Sequence, residues 1–250
     1  MKCESSSFAP LDRQDVCPTT AERFARDGFA VFEKVVSSSV CEALSVDLTA
    51  RFESQQDSAR SRIGGVRNLF QSCPLVAEVA DSPSIKSILS SLLGVEAFPV
   101  RSIFFDKTPD ANWSVAWHQD LHIAVAERIE TPGFGPWTVK AGVPHVQPPL
   151  AILNGMATIR LHLDDCDETN GALKVVPGSH AEGILSDAEF DKWKQREPVV
   201  CAVPKGGALL MRPLLLHSSS PALKPTHRRV LHIEYATMGL PNGLQWFERK

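Results

Sequence analysis

Residues 158–164 read TIRLHLD, and polar and apolar side chains alternate along them without a break. Successive side chains of a β-strand point to opposite faces, so one face would carry Thr158, Arg160, His162 and Asp164. Residues 228–235 (RRVLHIEY) alternate in the same way, and their matching face would carry Arg228, Val230, His232 and Glu234. Two strands with one polar and one apolar face predict a barrel that encloses a site and packs its outside on helices.

Helices are predicted ahead of the strands. One begins at Thr19 and ends at Gly28, one covers residues 37–51, and one covers residues 83–93 between a Ser82 cap and Gly94. Residues 29–32 form a short strand, and from residue 96 onward the period is that of strands. This order predicts a mainly β fold with flanking helices, built on a jelly-roll barrel.

The chain lacks repeats and low-complexity linkers, which favours one domain over residues 19–250 behind a flexible tail at residues 1–18. Residues 121–154 carry many prolines and glycines and little regular pattern. Because an irregular segment of that length is uncommon in a compact domain, we interpret it as a lid or substrate loop.

Composition narrows the partners. Lys plus Arg is 26 and Asp plus Glu is 29, a net charge of −3, which gives no basic patch for nucleic acid or an anionic membrane. Six scattered cysteines without a C-x-x-C pair are typical of reduced thiols. No stretch is apolar enough for a membrane span, so we expect a cytoplasmic protein. The sequence carries no signal for oligomeric state.

His118-Gln119-Asp120, together with the distant His217, is the candidate metal centre. On a strand His118 and Asp120 share the inward face with Ser114 and Ala116. The outward face would carry Trp113, Val115, Trp117 and Gln119. Two imidazoles and one carboxylate form the facial triad of non-haem Fe(II) oxygenases, which leaves positions open for an oxo-acid and O2. A single H-x-D also arises by chance, as a surface histidine beside an exposed aspartate.

Further motifs make a chance occurrence of H-x-D a weaker explanation. With these motifs the chain resembles the phytanoyl-CoA dioxygenase family of Fe(II)/2-oxoglutarate oxygenases over roughly residues 20–238. The matching stretches are FDKTP at 105–109, WHQD at 117–120, NGALKVVPGSH at 170–180, His217-x-Ser219 and Arg228. The resemblance implies a double-stranded β-helix, with His118, Asp120 and His217 as iron ligands.

The resemblance also implies a binding site for 2-oxoglutarate. Arg228, eleven positions after His217, would pair with the distal carboxylate, and Ser219 would bond to the same group. Lys107 matches a basic position near the co-substrate, although a turn lysine before Pro109 is an almost equal alternative. Arg229 is the rival arginine, but parity turns it outward, where a solvated side chain is the ordinary explanation.

Arg160 departs from the family, which often has Trp at this place. It faces the expected cavity and could hold a carboxylate of the co-substrate or substrate, or it could pair with Asp164 or Glu234. Candidate substrate residues each have a structural alternative, either core packing or exposure to solvent; they are His122, Trp113, Arg67, Phe134 and Trp137, with Arg128 as a further basic side chain.

The expected reaction is hydroxylation of an unactivated C–H bond of a small molecule, with conversion of 2-oxoglutarate to succinate and CO2. A ligating Asp120 argues against halogenation, which needs that position for chloride. Desaturation, ring closure and epimerisation stay open. A cupin-like isomerase using the same ligands without O2 and a non-catalytic binding module are the alternatives from other classes.

Overall fold

The computed structural model of the protein describes residues 18–54, 65–224 and 226–249. The predicted tail at residues 1–18 lies outside the described residues except for Pro18, which begins the first helix. Four of the six cysteines fall in the described part, and each is a buried free thiol; they are Cys41, Cys73, Cys166 and Cys201. None of the described helices is long and apolar enough to cross a bilayer.

Seven α-helices and thirteen strands are described, together with two short 3-10 helices at Glu168–Asn170 and Ser179–Glu182. The helices are α1 (Pro18–Asp27), α2 (Ser38–Ser54), α3 (Leu69–Ser72), α4 (Pro74–Ala80), α5 (Pro83–Leu93), α6 (Leu150–Asn154) and α7 (Asp187–Lys194). The first seven strands are β1 (Phe29–Phe32), β2 (Val66–Arg67), β3 (Phe98–Lys107), β4 (Val115–His118), β5 (Ile123–Ala124), β6 (Trp137–Lys140) and β7 (Val143–Val146). The others are β8 (Met156–His162), β9 (Leu173–Val175), β10 (Val199–Cys201), β11 (Ala208–Met211), β12 (His217–Ser219) and β13 (Arg228–Ala236).

The strands form two main antiparallel sheets and one small one. The larger has six strands in the order β1-β11-β8-β13-β3-β2, and the second has four in the order β10-β9-β12-β4. In both sheets most hydrogen-bonded neighbours are distant from each other in sequence, as in a jelly roll. The predicted double-stranded β-helix is therefore confirmed.

Strands β8 and β13 each have an apolar face and a polar face, and the two faces lie in different environments. Ile159, Leu161, Leu231 and Ile233 belong to the main apolar core, which α1 to α5 complete on the outer side of the six-stranded sheet. Arg160, His232 and Glu234 line a cavity on the inner side. Burial of the apolar face, at about 25 cal/mol per Å² of apolar surface, holds this register, because a one-residue slip would exchange the faces.

The predicted helices are confirmed with small shifts. The first begins at Pro18, which places Thr19 in its first turn, and α2 begins and ends slightly later than expected. Pro83 starts α5 and Gly94 ends it with φ of 72°, the left-handed conformation that favours glycine. The prediction for Ser82 was wrong in one respect: it occupies the cap position, but its hydroxyl makes no capping hydrogen bond.

Residues 121–154 are more regular than predicted. They form a three-stranded antiparallel sheet in the order β5-β7-β6, followed by α6. The prolines and glycines lie largely between these short elements, and the turn between β6 and β7 uses Ala141 and Gly142, both with positive φ. Ile123 and Val146 of this sheet pack into a second apolar cluster. The expected irregularity was therefore wrong, while the role of the segment as a lid or substrate loop stays a prediction.

Asp164 was also misplaced. Strand β8 ends at His162, so the alternation does not extend to Asp164. Its carboxylate instead accepts two hydrogen bonds from the Arg229 side chain, at 2.6 and 2.8 Å. Arg229 faces away from the cavity as predicted, but it is ion-paired and only 22% exposed instead of solvated.

Candidate metal centre and its cavity

The three predicted ligands converge in space. His118 at the end of β4 is the direct cross-strand partner of His217 in β12, and Asp120 follows two residues later. Nε2 of each imidazole lies 3.7 Å from a different carboxylate oxygen of Asp120. One ligand atom from each residue lies within 4.8 Å of the other two, a spacing at which the three could hold one metal ion.

The backbone fixes which imidazole nitrogen is available. Nδ1 of His118 lies 2.8 Å from the carbonyl of Ala116, and Nδ1 of His217 lies 2.8 Å from the carbonyl of Leu215. A nitrogen beside a carbonyl oxygen carries the proton, so both Nε2 atoms keep their lone pairs. This is the arrangement in which histidine binds a metal through one nitrogen while the other is held by an outer partner.

Gln119, which lies between the ligands His118 and Asp120, fixes this part of the chain. Its side-chain amide donates to the carbonyls of Gly183 and Leu214 at 2.8 and 2.6 Å, and its oxygen accepts from the backbone of Leu185 at 2.9 Å. The backbone N–H of Asp120 donates to the Pro213 carbonyl at 2.8 Å. These bonds anchor the loop on both sides of the site, and Gln119 points away from it as predicted.

The predicted facing of the residues before His118 was wrong. Trp113 and Val115 line the same cavity as His118, whereas Ser114 and Ala116 do not. The pairing of β4 with β12 explains this, because the register shifts between His217–His118 and Ser219–Val115. A bulge of this kind adds one residue to one strand and reverses its parity, and the residue pattern carries no trace of it.

The electrostatics suit a cation. Burial opposes ionisation of Asp120, but the charges of His217 and His118 outweigh it and lower the pKa of this carboxyl to about 2. Burial lowers the pKa of His217 to about 4, against the opposing effect of Asp120. Near neutral pH the site therefore presents a carboxylate and a neutral His217, the protonation states that metal binding requires.

Arg228, Lys107 and Ser219 meet beyond the triad. Arg228 and Lys107 are cross-strand partners on β13 and β3, and both are buried. The ammonium group of Lys107 donates to Ser219 Oγ at 3.3 Å, while Arg228 donates to the Gly171 carbonyl at 2.8 Å. Lys107 is the last residue of β3 and has no exposed surface, so the alternative of a turn lysine was wrong. Nε of Arg228 is buried without a partner among the described residues.

Arg160 forms neither of the ion pairs considered for it. Asp164 bonds to Arg229, and Glu234 pairs with Arg101 at 2.9 Å. The Arg160 guanidinium donates to Nδ1 of His232 at 3.0 Å, and its Nε has no partner within the described chain. Burial, followed by the charge of Arg228, lowers the pKa of Arg160 to about 10, so it stays cationic at neutral pH.

The candidate substrate residues divide into two groups. Arg67 and Trp113 line the cavity, which has a volume of about 190 Å³. Phe134 and Trp137 pack against the second apolar cluster, and His122 is also absent from the cavity wall. For Phe134 and Trp137 core packing describes the position better, whereas His122 is half-buried and is not exposed as its alternative required.

Arg128, the further basic side chain considered, is exposed and pairs with Glu130. Two charged cavity residues were not predicted from the sequence. Arg101 shares the inward parity of Lys107 on β3, which could have revealed it. Lys140 at the end of β6 gave no such signal, because the strand itself was not recognised.

A family comparison agrees with the geometry. The model of the family described as Phytanoyl-CoA dioxygenase (PhyH) matches residues 24–230. The chain is 22% identical over 185 residues to ectoine dioxygenase of Bordetella bronchiseptica, covering 70% of this chain and 53% of the relative. It is 24% identical over 190 residues to phytanoyl-CoA dioxygenase 1 of Oryza sativa subsp. japonica, covering 71% and 59%. The chain thus spans little more than half the length of these two curated relatives.

Solved structures share the fold. The crystal structure of AviO1 from Streptomyces viridochromogenes superposes with a TM-score of 0.66 at 23% identity. The superposition covers 94% of this chain and 99% of AviO1. At this identity the likeness concerns the architecture, and the chemistry has to be argued from the residues of the site.

Proposed function

The chain belongs to the phytanoyl-CoA dioxygenase family, and from this premise we propose that it is an Fe(II)- and 2-oxoglutarate-dependent dioxygenase. The proposed reaction hydroxylates an unactivated C–H bond of a small molecule and releases succinate and CO2. The observation that carries the proposal is the convergence of His118, Asp120 and His217, with both Nε2 atoms directed at one carboxylate.

This donor set fits ferrous iron better than structural zinc. Three protein ligands leave coordination positions open, whereas structural zinc sites are closed by four. A bound iron would supply the activation of O2 and the oxidative decarboxylation of 2-oxoglutarate. The chain contributes the orientation of both reactants, and His217 is only 3% exposed, which limits access of water from its side.

The residues beyond the triad support 2-oxoglutarate as the co-substrate. Arg228 lines the cavity with Ser219, and the guanidinium retains a buried Nε, unpartnered within the described chain, that can donate to a carboxylate. Planar bidentate recognition of carboxylates is the property that distinguishes arginine from lysine. Lys107 adds a second buried nitrogen beside Ser219.

Loading the protein with Fe(II) and following succinate release in a metabolite screen tests the proposal. His118→Ala should abolish both tight metal binding and succinate release. His122→Ala is the matched control, since His122 lies close in sequence but outside the cavity wall, and it should keep both. Succinate release that survives His118→Ala would refute the assignment of the ligands.

Further measurements distinguish this function from its alternatives. A cupin-like isomerase would convert its substrate without consuming O2 or 2-oxoglutarate. Anaerobic addition of Fe(II) should give an absorption band that depends on 2-oxoglutarate if the co-substrate binds the metal. Desaturation, ring closure and epimerisation would share the triad and succinate release, and the mass and stereochemistry of the product distinguish them from hydroxylation.

A further inference from the structure

We propose that the substrate carries an oxyanion, either a carboxylate or a phosphate, and that this group binds Arg67 and Lys140 in the part of the cavity remote from Arg228. The inference rests on the proposed function, because it names the substrate class of that same cavity. It concerns residues that neither the metal triad nor the co-substrate site uses.

The charge of the cavity wall is the first argument. Five basic side chains line it, and two carboxylates oppose them; the basic residues are Arg67, Arg101, Lys140, Arg160 and Arg228. The carboxylates are Asp120, which faces the candidate metal, and Glu234, which pairs with Arg101 at 2.9 Å. A ferrous ion would add two positive charges and 2-oxoglutarate would remove two, so the excess of positive charge remains when both are bound. A further anion would relieve it.

Arg67 is the best-placed partner for that anion. It lies on the edge strand β2 opposite Ile103, and one guanidinium nitrogen reaches the carbonyl of Gly65 at 3.3 Å. Its Nε is buried without a hydrogen-bond partner, and within the described residues no carboxylate pairs with it. Leaving a buried charged donor unpaired is costly, so a ligand that accepts from it is favoured.

Lys140 lines the same space from the small sheet. It ends strand β6, it is exposed to solvent, and no ion pair is formed with it among the described side chains. Partial burial of the ammonium group lowers the pKa of Lys140, and the charges of Arg101 and Arg67 lower it further. Lys140, Arg101 and Arg67 line the same cavity, so the three cations are close in space, as the wall of an anion site requires.

This site is separate from the co-substrate site. Arg67 is level with Ile103, and Ile103 is the cross-strand partner of His232 on β13. His232 lies four residues beyond Arg228 along the same strand, a separation of roughly 13 Å at about 3.3 Å per residue. Arg67 and Arg228 therefore start from backbone positions well separated along the sheet, and a second anionic group is favoured beside Arg67.

Binding of small anions by ligand-observed NMR tests the inference. The probes are inorganic phosphate and propionate, with propionamide as the uncharged counterpart of propionate. The full chain is titrated with Ni(II) and saturating 2-oxoglutarate, which occupy the neighbouring sites, and again without either. At least one anion should bind, and its identity assigns the substrate group as phosphate or carboxylate.

The variants locate the binding. Arg67→Gln should weaken the anion about tenfold, the loss expected for one charge-assisted hydrogen bond. Lys140→Gln should weaken it about threefold, because this side chain is exposed and screened. Arg128→Gln is the matched control, since Arg128 is exposed and pairs with Glu130, and it should bind as the wild type does.

Several results would overturn the inference. They are equal binding of propionamide and propionate, unchanged binding in Arg67→Gln, or an equal loss in Arg128→Gln. Absence of binding by both anions would have the same meaning. The proposed function fails separately, through loss of metal binding or succinate release, and the titrations without metal retain the anion readout in that event.

Discussion

Lys107 ends strand β3 with no exposed surface, and its ammonium group donates to Ser219 Oγ and to the Ser220 carbonyl. Burial, followed by the charges of Arg228 and Arg160, lowers the pKa of Lys107 from 10.5 to about 7. A carboxylate bound beside Arg228 would favour the ammonium form and raise that pKa again. Binding of 2-oxoglutarate should therefore take up a proton above pH 7.

The size of the effect follows from this pKa. With a pKa of about 7, the protonated fraction of free Lys107 falls from about one half at pH 7 to about one hundredth at pH 9. If 2-oxoglutarate binds the protonated form, its Kd should rise about 50-fold over that interval, or about 2.3 kcal/mol. Isothermal titration calorimetry of the Ni(II)-loaded protein, in buffers of different ionisation enthalpy, measures both Kd and proton uptake.

Two variants isolate the lysine. Lys107→Met has a side chain of similar length without charge and should bind 2-oxoglutarate weakly, with no dependence on pH. Lys107→Arg stays charged over the whole interval and should also lose the dependence. A change in Kd of less than about threefold between pH 7 and pH 9, or a persisting dependence in Lys107→Met, would refute the reasoning.

The same pKa has a consequence for the ligand-free fold. Because the folded pKa of about 7 lies below the unfolded value of 10.5, protonation of Lys107 favours the unfolded state. The penalty is complete below pH 7 and fades as the pH rises towards 10.5. Lys107→Met should thus exceed the wild type in free energy of unfolding at pH 6.5, by an amount that narrows at pH 9. A gap that widens with pH would contradict the sign.

Three further perturbations have defined outcomes. Glu248→Gln should lower the free energy of unfolding by about 1–3 kcal/mol in urea denaturation, because one buried carboxylate oxygen accepts from the backbone N–H of Phe70 and the other from that of Ser102, so an amide nitrogen would face one of these donors; an unchanged midpoint would contradict this. Gly171→Ala should destabilise more than Gly94→Ala, since both have positive φ but the added Cβ would lie 2.6 Å from a carbonyl oxygen at Gly171 and meet nothing within 4 Å at Gly94; equal changes in Tm would count against the contact. Arg160→Ala should weaken the apparent affinity for the co-substrate or for the substrate in steady-state kinetics, and unchanged Michaelis constants for both would remove its assigned role.

Strand parity predicted the cavity where strands are long and continuous. Strands β8 and β13 span seven and nine residues, and their apolar faces pack on helices, so the period of two is expressed along their length. The inward positions of Arg160 and His232 could therefore be predicted from the sequence. The same rule failed at Val115, because the bulge in β4 is set by pairing with β12, a contact between segments about 100 residues apart.

The segment at 121–154 was mispredicted for another reason. Its three strands have two to four residues each, which is too short for a period to be recognised among prolines and glycines. The error also affected the prediction of the site, because Lys140 belongs to this unrecognised sheet and was therefore missed. Aromatic residues were ambiguous in a similar way: Phe134 and Trp137 would suit a substrate opening or a core, and only the tertiary packing distinguishes the two.

The two main sheets contribute different groups to the cavity, so substitutions on one sheet can leave the groups of the other unchanged. His118 and His217 come from the four-stranded sheet, whereas Arg67, Arg101 and Arg160 come from the six-stranded sheet that faces it. Each sheet has its own backbone hydrogen bonds, and a shared apolar cluster packs Leu173 and Val175 of the four-stranded sheet on Leu209 and Met211 of the six-stranded sheet. A substitution at Arg67 alters the charge offered to the substrate but touches neither the imidazoles nor the carbonyls that orient them. Effects on metal affinity and on substrate charge should therefore add in double variants, as expected for groups that share no partner. Substitutions on the six-stranded sheet can thus change the substrate preference while the metal ligands on the four-stranded sheet stay unchanged.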